Sequence, residues 1–576
     1  MFKLRRFLKH YKKELILGPF FKLLEAIFEL AVPLVMAQII DKGIGNNDSD
    51  YVWKMSGLIV VLGICGLGFA LTCQFFAAKC AYGFGTELRD ALYKHINKFS
   101  HAEIDRFGTS SLITRITNDT VLAQNGVNMF IRLAVRAPFL IVGAAVMSMT
   151  LDLKLSIIFL IAAPIITLII VWVMKKTVPM YKKIQKGLDK ISLLTRENLD
   201  GVRVIRAFSK QEEEKKELIN ESGRLSDNAV IAGKISAILN PVTFMIMNLG
   251  IVAILWFGGI RVDTGYLTQG EITAFVNYMT QILLALVVLA NLVIIFTKAA
   301  SSASRINEVF DTQPSMTDGS DTKFDFSSPA VEFENVSFSY PDAGDLSLNN
   351  ISFTLKKGEI LGIIGGTGSG KSTLVGLAAR LYDTTEGTVL IDGRDVRDYT
   401  FEALYSKMGY VPQKAILFSD TIENNVAFGF CGHKIDRDDV EYAINIAQAS
   451  DFVNKLEDGI DSNIAQGGAN VSGGQKQRLA IARAVARMPE ILIFDDSFSA
   501  LDYKTDRALR EKIKNDLKGT TCMIVAQRIG TIRHADKIVV LDNGEAVGIG
   551  THEELMKKCP VYQEIALSQL SQSELE

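Results

Sequence analysis

The chain has 576 residues, of which 48% are hydrophobic and 22% are charged, and its mean hydropathy is +0.21. This composition is too apolar for an ordinary soluble protein, and the length is sufficient for two or more domains. The formal net charge of −2 averages over the whole chain and does not suggest nucleic acid as a partner. A membrane part is therefore expected.

The first residues mix basic and apolar side chains. Phe2, Leu4 and Phe7 lie among lysines and arginines, as in a helix that runs along a membrane surface. A cleaved signal peptide is the competing interpretation. The apolar stretch that follows, residues 15–40, is too long for a signal peptide and ends without a small-residue cleavage site. We therefore expect this stretch to be the first membrane span.

Six apolar stretches approach or exceed the roughly 20 residues that a spanning helix needs. They lie near residues 15–40, 55–78, 128–149, 155–173, 238–258 and 273–297. The N-terminus is rich in lysine and arginine, whereas the first outside loop carries Asp41, Asp48 and Asp50 against two lysines. The N-terminus should therefore be cytoplasmic. We predict an all-α transmembrane domain of six helices over residues 1–310, in a layout that fits a bacterial inner membrane.

The connections between these stretches differ greatly in length. Roughly 50 to 65 polar, periodic residues separate spans two and three, and again spans four and five, far above the usual loop length. The outside connections, such as residues 152–154, are very short. The long connections are predicted to be helices that extend into the cytoplasm.

The second half of the chain has a different pattern. Residues 311–330 are rich in serine, threonine and aspartate and read as a linker. Strands then alternate with helices over residues 331–576, which predicts an α/β domain that binds ligands at the C-terminal ends of its strands. The predicted strands are residues 331–339, 360–364, 389–391, 408–411, 491–494, 522–525 and 537–541.

A glycine-rich run lies between a predicted strand and a predicted helix in this domain. It fits the phosphate-binding P-loop pattern, in which glycines turn backbone N–H groups toward phosphate, a lysine contacts the phosphate oxygens and a hydroxyl ligates magnesium. The pattern alone leaves kinases, GTPases and many ATPases open. The residues predicted to contact nucleotide are Gly366, Thr367, Gly368, Ser369, Gly370, Lys371, Ser372 and Thr373.

Two further motifs narrow the choice among these classes of nucleotide-binding protein. Ser472-Gly473-Gly474-Gln475 precedes a basic helix, and the apolar strand 491–494 ends at Asp495 and Asp496. Together with the P-loop, these motifs resemble the signature and Walker B motifs of ATP-binding-cassette proteins. The long cytoplasmic connections, with residues 105–119 and 197–208, resemble the coupling loops of the exporter type. No internal repeat is present, so the chain resembles a half-transporter, which needs a second half.

The resemblance implies an ATP and Mg²⁺ site and a role for each motif. Tyr340 matches the aromatic residue that stacks on adenine, although a tyrosine at a strand end is ordinarily packing. Ser372 and Asp495 would ligate Mg²⁺, and Gln413 matches the glutamine that senses the metal and the attacking water. In this family a site combines one chain's Walker motifs with the other chain's signature. The resemblance also implies that residues of this chain contact the ATP held by the partner's Walker motifs. These residues are Ser472, Gly473, Gly474, Gln475 and the D-loop Asp502.

Two catalytic positions depart from the family pattern. Asp496 stands where the family has a glutamate, so its carboxylate falls about 1.3–1.5 Å short, and a 1 Å misplacement can cost about 10²-fold in rate. Gln527 stands where the family has a histidine; it can donate a hydrogen bond but cannot carry a positive charge. Either change alone could be tolerated drift. Residues 463–468 also lack the acidic, arginine-containing segment that commonly precedes the signature.

These departures predict a site that binds ATP but hydrolyses it poorly, with Asp496, Gln527 and Gln413 as its catalytic positions. The resulting hypothesis is one subunit of a heterodimeric exporter, with hydrolysis mainly at a second site completed by the partner half-transporter. The expected substrate is a drug or another amphipathic compound. The alternatives are a lipid or peptide exporter of narrow specificity and an ATP-gated regulator that does not pump.

Charged residues also occur inside the predicted spans, where they are costly and are candidates for function. Glu25 and Glu29 lie one helical turn apart in the first span, and Arg132 and Arg136 repeat that spacing in the third. One interpretation is structural, with the charges paired or reaching toward the cytoplasm. The other is a polar wall of a substrate cavity, in which the carboxylates would favour amphipathic cations.

Overall fold

The computed structural model describes residues 2–325, 327–341, 343–429 and 431–569. The chain divides into two compact units. One comprises Met1–Asn97 and Ser110–Thr312, and the other comprises Lys98–Thr109 and Gln313–Glu576. The division after Thr312 falls next to the predicted linker. The short segment Lys98–Thr109 groups with the second unit and overlaps residues 105–119, which resemble a coupling loop.

Among the described residues, six helices are long and apolar enough to cross a membrane, in agreement with the prediction. We call them spans 1 to 6: Lys3–Ile44, Ser49–Ile96, Thr109–Leu151, Ile157–Asp200, Gln211–Asp263 and Gln269–Asp311. At 1.5 Å per residue, span 2 with its 48 residues is about 72 Å long, more than twice the roughly 30 Å of a hydrocarbon core. The long connections predicted from sequence are therefore extensions of the spanning helices.

The spans are built from α-helices with local changes of winding. The chain begins with a 3₁₀ helix, Phe2–Tyr11, where a surface helix was predicted. Tighter or wider turns mark places where a helix is locally strained or adapted to a function. The π-helical turns are Ile39–Ile44, Arg115–Asp119 and Phe130–Ala134. The α-helices are Lys12–Gln38, Ser49–Ile96, Thr109–Thr114, Thr120–Met129, Arg136–Leu151, Ile157–Asp200, Val202–Ala207, Gln211–Ala237, Leu239–Asp263 and Gln269–Asp311.

The outer ends of spans 1 and 6 are joined by Asp41. Its Oδ1 accepts a 2.7 Å hydrogen bond from the backbone N–H of Gly270, and its Oδ2 accepts a 2.6 Å bond from the hydroxyl of Thr268. Thr268 itself caps the helix Gln269–Asp311 in a reciprocal arrangement with Glu271. The carboxylate therefore satisfies a free N–H group at a helix N-terminus, where negative charge is stabilising.

The second unit contains two β-sheets. A six-stranded sheet has the order β10-β9-β3-β8-β7-β6, with parallel pairing throughout except at β10, and a four-stranded antiparallel sheet has the order β2-β1-β4-β5. The strands are β1 Val331–Phe338, β2 Leu348–Leu355, β3 Ile360–Gly365, β4 Glu386–Ile391, β5 Arg394–Asp395, β6 Met408–Val411, β7 Ile491–Phe494, β8 Thr521–Val525, β9 Lys537–Asp542 and β10 Glu545–Gly550. All seven predicted strands are present. The sequence interpretation missed β2, β5 and β10.

Helices surround these sheets. Strands β3, β7 and β8 end side by side because all three run parallel in the six-stranded sheet. The residues that follow them therefore meet at one edge. The α-helices of the unit are His101–Phe107, Lys371–Ala378, Phe401–Ser406, Ile422–Val426, Arg437–Ile446, Ser450–Val453, Gly473–Val485, Tyr503–Asp516, Ile529–Ile532, His552–Lys558 and Pro560–Gln569. Two 3₁₀ turns occur at Gly459–Asp461 and Gln466–Gly468.

Candidate nucleotide site

The P-loop connects β3 to the helix Lys371–Ala378, as its sequence predicts. Gly368 and Gly370 have φ values of +81° and +96°, a backbone region that side-chain-bearing residues rarely adopt. A Cβ at Gly370 would lie 2.6 Å from Leu348 Cδ2, whereas one at Gly368 would meet open space. The loop is therefore packed on one side and open on the other, so its open side is accessible to a ligand.

Lys371 folds its ammonium back over this loop. The Nζ atom donates hydrogen bonds to the carbonyls of Gly366, at 2.5 Å, and Gly365, at 3.0 Å. Burial lowers the pKa of Lys371, and the nearby Asp496 and Asp495 oppose that shift. The arrangement places a positive charge where phosphate oxygens would lie in a P-loop.

Ser372 and Asp495 come together at the strand edge. The Ser372 hydroxyl donates a 2.7 Å hydrogen bond to Asp495 Oδ1, and the Tyr410 hydroxyl donates a 3.2 Å bond to Oδ2. Burial raises the pKa of Asp495, partly offset by these two hydrogen bonds. A hydroxyl and a carboxylate that converge in this way are the hard oxygen ligands that Mg²⁺ prefers, so these side chains fit the predicted metal.

Asp496, Gln413 and Gln527 also meet. The amide Nε2 of Gln527 donates a 2.6 Å hydrogen bond to Asp496 Oδ2, and Nε2 of Gln413 donates to the same oxygen at 3.3 Å. Asp496 is 6% exposed and has a φ of +48°, in the left-handed region where aspartate is enriched among non-glycine residues. The three residues predicted as catalytic therefore form one contact group around a single carboxylate.

Tyr340 lines a cavity of about 800 Å³, a volume within the range of ligand sites. Its hydroxyl shares a 3.0 Å hydrogen bond with Thr373 Oγ1. Its ring lies edge-to-face with Phe338 and Tyr382, at 4.9 and 5.3 Å between centroids. The lining includes Tyr340, Gly368, Gly370, Lys371, Ser372 and Thr373. Of the other P-loop residues, Gly366 and Thr367 are exposed and Ser369 is buried beneath the loop.

The signature segment begins a helix. Ser472 caps the helix Gly473–Val485, accepting a 3.3 Å bond from the N–H of Gln475, whose side chain accepts a 2.8 Å bond from the N–H of Ser472. Ser472 and Gly473 are exposed. Asp502 likewise caps the helix Tyr503–Asp516, and the N–H of Thr505 lowers its pKa. These predicted contacts do not line the cavity at Tyr340 in the part of the chain that the structure describes.

The unusual segment before the signature is held by local hydrogen bonds. Gly467 and Gly468 have φ values of +63° and +70°, and Lys476 Nζ donates a 2.9 Å bond to the Gly467 carbonyl. Asn470 fixes the other side, since its amide donates to the Asn463 carbonyl at 2.9 Å. The segment is therefore a defined turn although it lacks the residues that the family commonly has there.

Sequence reasoning missed Tyr410, Asn543 and Gly544. Tyr410 contacts Asp495, and the other two line the cavity. The only available signal for Tyr410 was its position in β6, three residues before Gln413. For Asn543 and Gly544, the signal was an Asn-Gly turn directly after the predicted strand 537–541.

Three of the four charged residues that the sequence analysis singled out in spans 1 and 3 form ion pairs. Arg136 contacts Glu29 at 2.7 Å, and Lys22, which the sequence analysis did not single out, contacts Glu25 at 2.6 Å. The structural interpretation of the two carboxylates is therefore the one that the contacts support. Arg132 differs, because it forms no ion pair within the described part of the chain, and the Nε atoms of both Arg132 and Arg136 are buried without a hydrogen-bond partner.

Fold and site together define a membrane protein with a P-loop nucleotide-binding unit. The family described as ABC transporter transmembrane region matches residues 15–287, and the family described as ABC transporter matches residues 348–499. An uncharacterized ABC transporter ATP-binding protein of Mycobacterium tuberculosis is 38% identical to this chain, over 98% of this chain and 97% of that protein. The ATP-dependent lipid A-core flippase of Vibrio vulnificus is 28% identical, over 98% of this chain and 96% of that protein.

The fold has a solved counterpart. The structure of a bacterial Atm1-family ABC exporter with ATP bound matches with a TM-score of 0.79, over 99% of both chains, at 24% sequence identity. This chain therefore belongs to the ABC transporter family and has the fold of an exporter half-transporter. It is a multi-pass membrane protein with a cytoplasmic ATP-binding domain, in a family that couples ATP hydrolysis to transport.

Proposed function

We propose that this chain is the degenerate-site subunit of a heterodimeric exporter. It binds ATP and Mg²⁺ at its own Walker motifs and hydrolyses that ATP slowly. Its signature segment completes a second, faster site whose P-loop, glutamate and histidine belong to a different half-transporter. The two subunits together move drugs or other amphipathic compounds out of the cytoplasmic membrane, which in a bacterium is the inner membrane.

The contact group at Asp496 is the observation that carries this proposal. A general base must reach the attacking water, and Asp496 is one methylene shorter than the family's glutamate. Its Oδ2 also accepts bonds from Gln413 and Gln527, so that oxygen is already engaged with amide donors. Neither amide carries a charge that could balance the charge developing on phosphate. These features favour tight binding over fast turnover.

The groups that bind ATP, by contrast, keep the family pattern. Lys371 and Ser372 are in place at the loop, and Ser372 contacts Asp495. The signature Ser472 and Gly473 are exposed at a helix N-terminus, which suits contact with phosphate across a subunit boundary. Intact binding groups beside altered catalytic ones are what an asymmetric pair of sites would require.

Lipid export is the second candidate for the transported substrate. It is favoured by the relative named lipid A-core flippase, with which this chain shares 28% identity over nearly its whole length. A regulator that gates on ATP binding without pumping is the third. Substrate-stimulated ATPase activity in the assembled dimer separates the exporters from the regulator, because a pure gate needs no such coupling.

The proposal is tested by ATPase turnover of the chain purified alone in lipid nanodiscs, with the mass of the assembly measured on the same sample. Negligible turnover without a defined homodimer supports a subunit that needs a different partner. Brisk turnover from a homodimer contradicts the proposal, because Asp496 and Gln527 would then suffice for hydrolysis.

A further inference from the structure

A second cavity lies in the ATP-binding unit, apart from the one that Tyr340 lines. Its volume is about 580 Å³, within the range of small-molecule sites. The helix Tyr503–Asp516 and residues 530–535 supply most of its lining. Among the described residues, none that line it belongs to the P-loop, to the signature or to the cavity at Tyr340. We call it the second cavity, because it is separate from the candidate nucleotide site.

One face of the helix Tyr503–Asp516 supplies the polar part of the lining. Tyr503, Arg507, Arg510 and Lys514 follow one another at intervals of four, three and four residues, so they lie on the same side of the helix. Tyr503, Arg507 and Lys514 are exposed. The helix therefore contributes one aromatic ring and three cations to the same space.

Arg510 holds the two segments of the lining together. Its Nε donates a 3.0 Å hydrogen bond to Asp506, which is 3% exposed, and its Nη1 donates a 3.0 Å bond to the carbonyl of Gly530. The first contact balances the charge of Arg510 within its own helix. The second joins that helix to residues 530–535, so the cavity has a fixed width at this point.

The other two cations are available to a ligand. Arg507 pairs with Glu511 at 2.9 Å, but both side chains are exposed, and exposed pairs of this kind contribute little. Lys514 forms no ion pair within the part of the chain that the structure describes. His534 adds an imidazole from the second segment. An anion that enters the cavity therefore meets one unpaired ammonium and one weakly held guanidinium.

Part of the lining is apolar. Ile360 begins β3, Ile524 lies in β8, and both line the cavity together with Ile513 of the helix. Ile513 and Ile524 are buried in the core of the unit. A small inorganic anion would leave this apolar surface uncovered. A molecule that carries both a ring and an anionic group would use the apolar and the cationic surfaces at once.

Both segments of the lining continue into predicted residues of the ATP site. Asp502 directly precedes Tyr503, and Gln527 lies three residues before Gly530. A ligand in the second cavity would therefore contact the segments that carry the D-loop aspartate and the residue at the switch position, without contacting the P-loop.

We propose that the second cavity is a binding site for a small aromatic anion, such as an aryl phosphate. Lys514 and Arg507 contact the anionic group, and the ring packs against Tyr503 and the neighbouring isoleucines. Hydrogen bonds between ionised groups are roughly twice as strong as those between neutral ones, so the ammonium of Lys514 supplies the main polar contact. The inference does not depend on the partner, the substrate or the hydrolysis rate of the proposed exporter.

The test is calorimetric titration of 2-naphthyl phosphate into the full chain in nanodiscs of zwitterionic lipid. Saturating Mg²⁺ and a non-hydrolysable ATP analogue are present, so that the Walker motifs are occupied. The matched probes are 2-naphthol and inorganic phosphate, because each keeps one half of the molecule. We expect 2-naphthyl phosphate to bind about tenfold or more tightly than either half, since only the whole molecule meets both surfaces.

Variants on the helix assign the contacts. Lys514→Gln should weaken 2-naphthyl phosphate binding about tenfold, because one charge-assisted contact is lost, and Lys514→Arg should keep most of the affinity. Tyr503→Ala should weaken binding, whereas Tyr503→Phe keeps the ring and should bind as wild type does. Lys504→Gln is the matched control, since it removes the same charge from an exposed position of the same helix that does not line the cavity.

Several results would overturn the inference. Equal affinity for 2-naphthol and 2-naphthyl phosphate would show that the anionic group is not recognised. Equal weakening in Lys504→Gln and Lys514→Gln would show a general effect of charge. Binding that occurs only when the ATP analogue is left out would place the probe at the Walker motifs, and no binding at millimolar probe would mean that the cavity does not take this class of ligand.

Discussion

Gln527 Nε2 donates a 2.6 Å hydrogen bond to Asp496 Oδ2, so the two positions that depart from the family pattern contact each other. Residues in contact have effects that are not additive. The two departures are therefore best understood as one altered unit. A longer carboxylate at position 496 would change the contact with residue 527 as well as the reach toward water.

Restoring both family residues should accelerate hydrolysis. We expect Asp496→Glu with Gln527→His to raise ATPase turnover by about 10²-fold over wild type, because the carboxylate regains roughly 1 Å of reach and an imidazole replaces an uncharged amide. The measurement is steady-state ATPase in nanodiscs that contain paired copies, as shown by their mass. Each single variant should recover much less. Unchanged turnover in paired copies of the double variant would show that another feature slows the site.

Tyr340 should act through its ring. Tyr340→Ala should weaken ATP binding by roughly 5- to 150-fold, the equivalent of about 1–3 kcal/mol for a stacked base. Tyr340→Phe keeps the ring and loses only the hydrogen bond to Thr373, so its affinity should stay near that of wild type. Equilibrium binding of a fluorescent ATP analogue to the full chain compares the two. Equal losses in both variants would assign the role to the hydroxyl.

Hydrophobic patterning was sufficient to predict most of the fold. Strands such as β6 and β7 are short apolar runs buried in a sheet, and their predicted bounds match the structure. The strand β2 was missed because its sequence, Leu-Asn-Asn-Ile-Ser-Phe-Thr-Leu, mixes polar residues into its exposed positions. It pairs antiparallel with β1, and such strands have one solvated face. The assignment of each strand to one of the two sheets required information about strand pairing, which no single stretch of sequence contains.

The site was predictable where a motif fixes both sequence and shape. The P-loop residues and Asp495 lie together as expected because parallel strands end at one edge. Tyr410 and Lys22 were not predicted, because neither belongs to a motif. Tyr410 contacts Asp495, which is distant in sequence, and Lys22 contacts Glu25, three residues away. The contact between Asp496 and Gln527 joins residues 31 positions apart and needed the structure.

Variants at the P-loop and the signature should distinguish this chain's own nucleotide site from the partner's site, which the signature is proposed to complete. Lys371→Ala should abolish ATP binding by this chain, because it removes the cation that the loop carbonyls hold over the phosphate position. Ser472→Ala should leave that binding intact and cost about 1 kcal/mol of helix stability from the lost cap. Both are measured by ATP binding to the chain alone and by its thermal unfolding. Equal loss of binding would mean that the signature serves this chain's own nucleotide.

The Asp41 contacts at the outer end of the bundle should stabilise the transmembrane unit. Asp41→Ala removes hydrogen bonds to Gly270 and Thr268 at a helix N-terminus, so we expect a loss of about 1–2 kcal/mol. Asp50→Ala removes the same charge from an exposed position in the first turn of the helix Ser49–Ile96 and should have a smaller effect, limited to the interaction of the charge with the helix N-terminus. Thermal unfolding in nanodiscs measures both. A similar loss in both variants would indicate a general charge effect and not a specific cap.

His552 should make the stability of the ATP-binding unit depend on pH. Burial, with Arg533 nearby, lowers the pKa of His552 below its ordinary value of 6.5, and Nδ1 lies 2.7 Å from the hydroxyl of the buried Tyr562. The unfolded chain therefore binds this proton more tightly than the folded one, so stability is greatest above pH 6.5 and falls as the pH drops through the lowered pKa.

We expect His552→Asn to flatten that part of the pH profile, measured as the unfolding temperature between about pH 5 and 8. His433→Asn, which changes an exposed histidine outside the contact with Tyr562, is the control. Tyr562→Phe should lower stability at every pH, because it removes the hydroxyl that contacts His552 and leaves the ring in place. A slope that survives in His552→Asn would place the titrating group elsewhere in the unit.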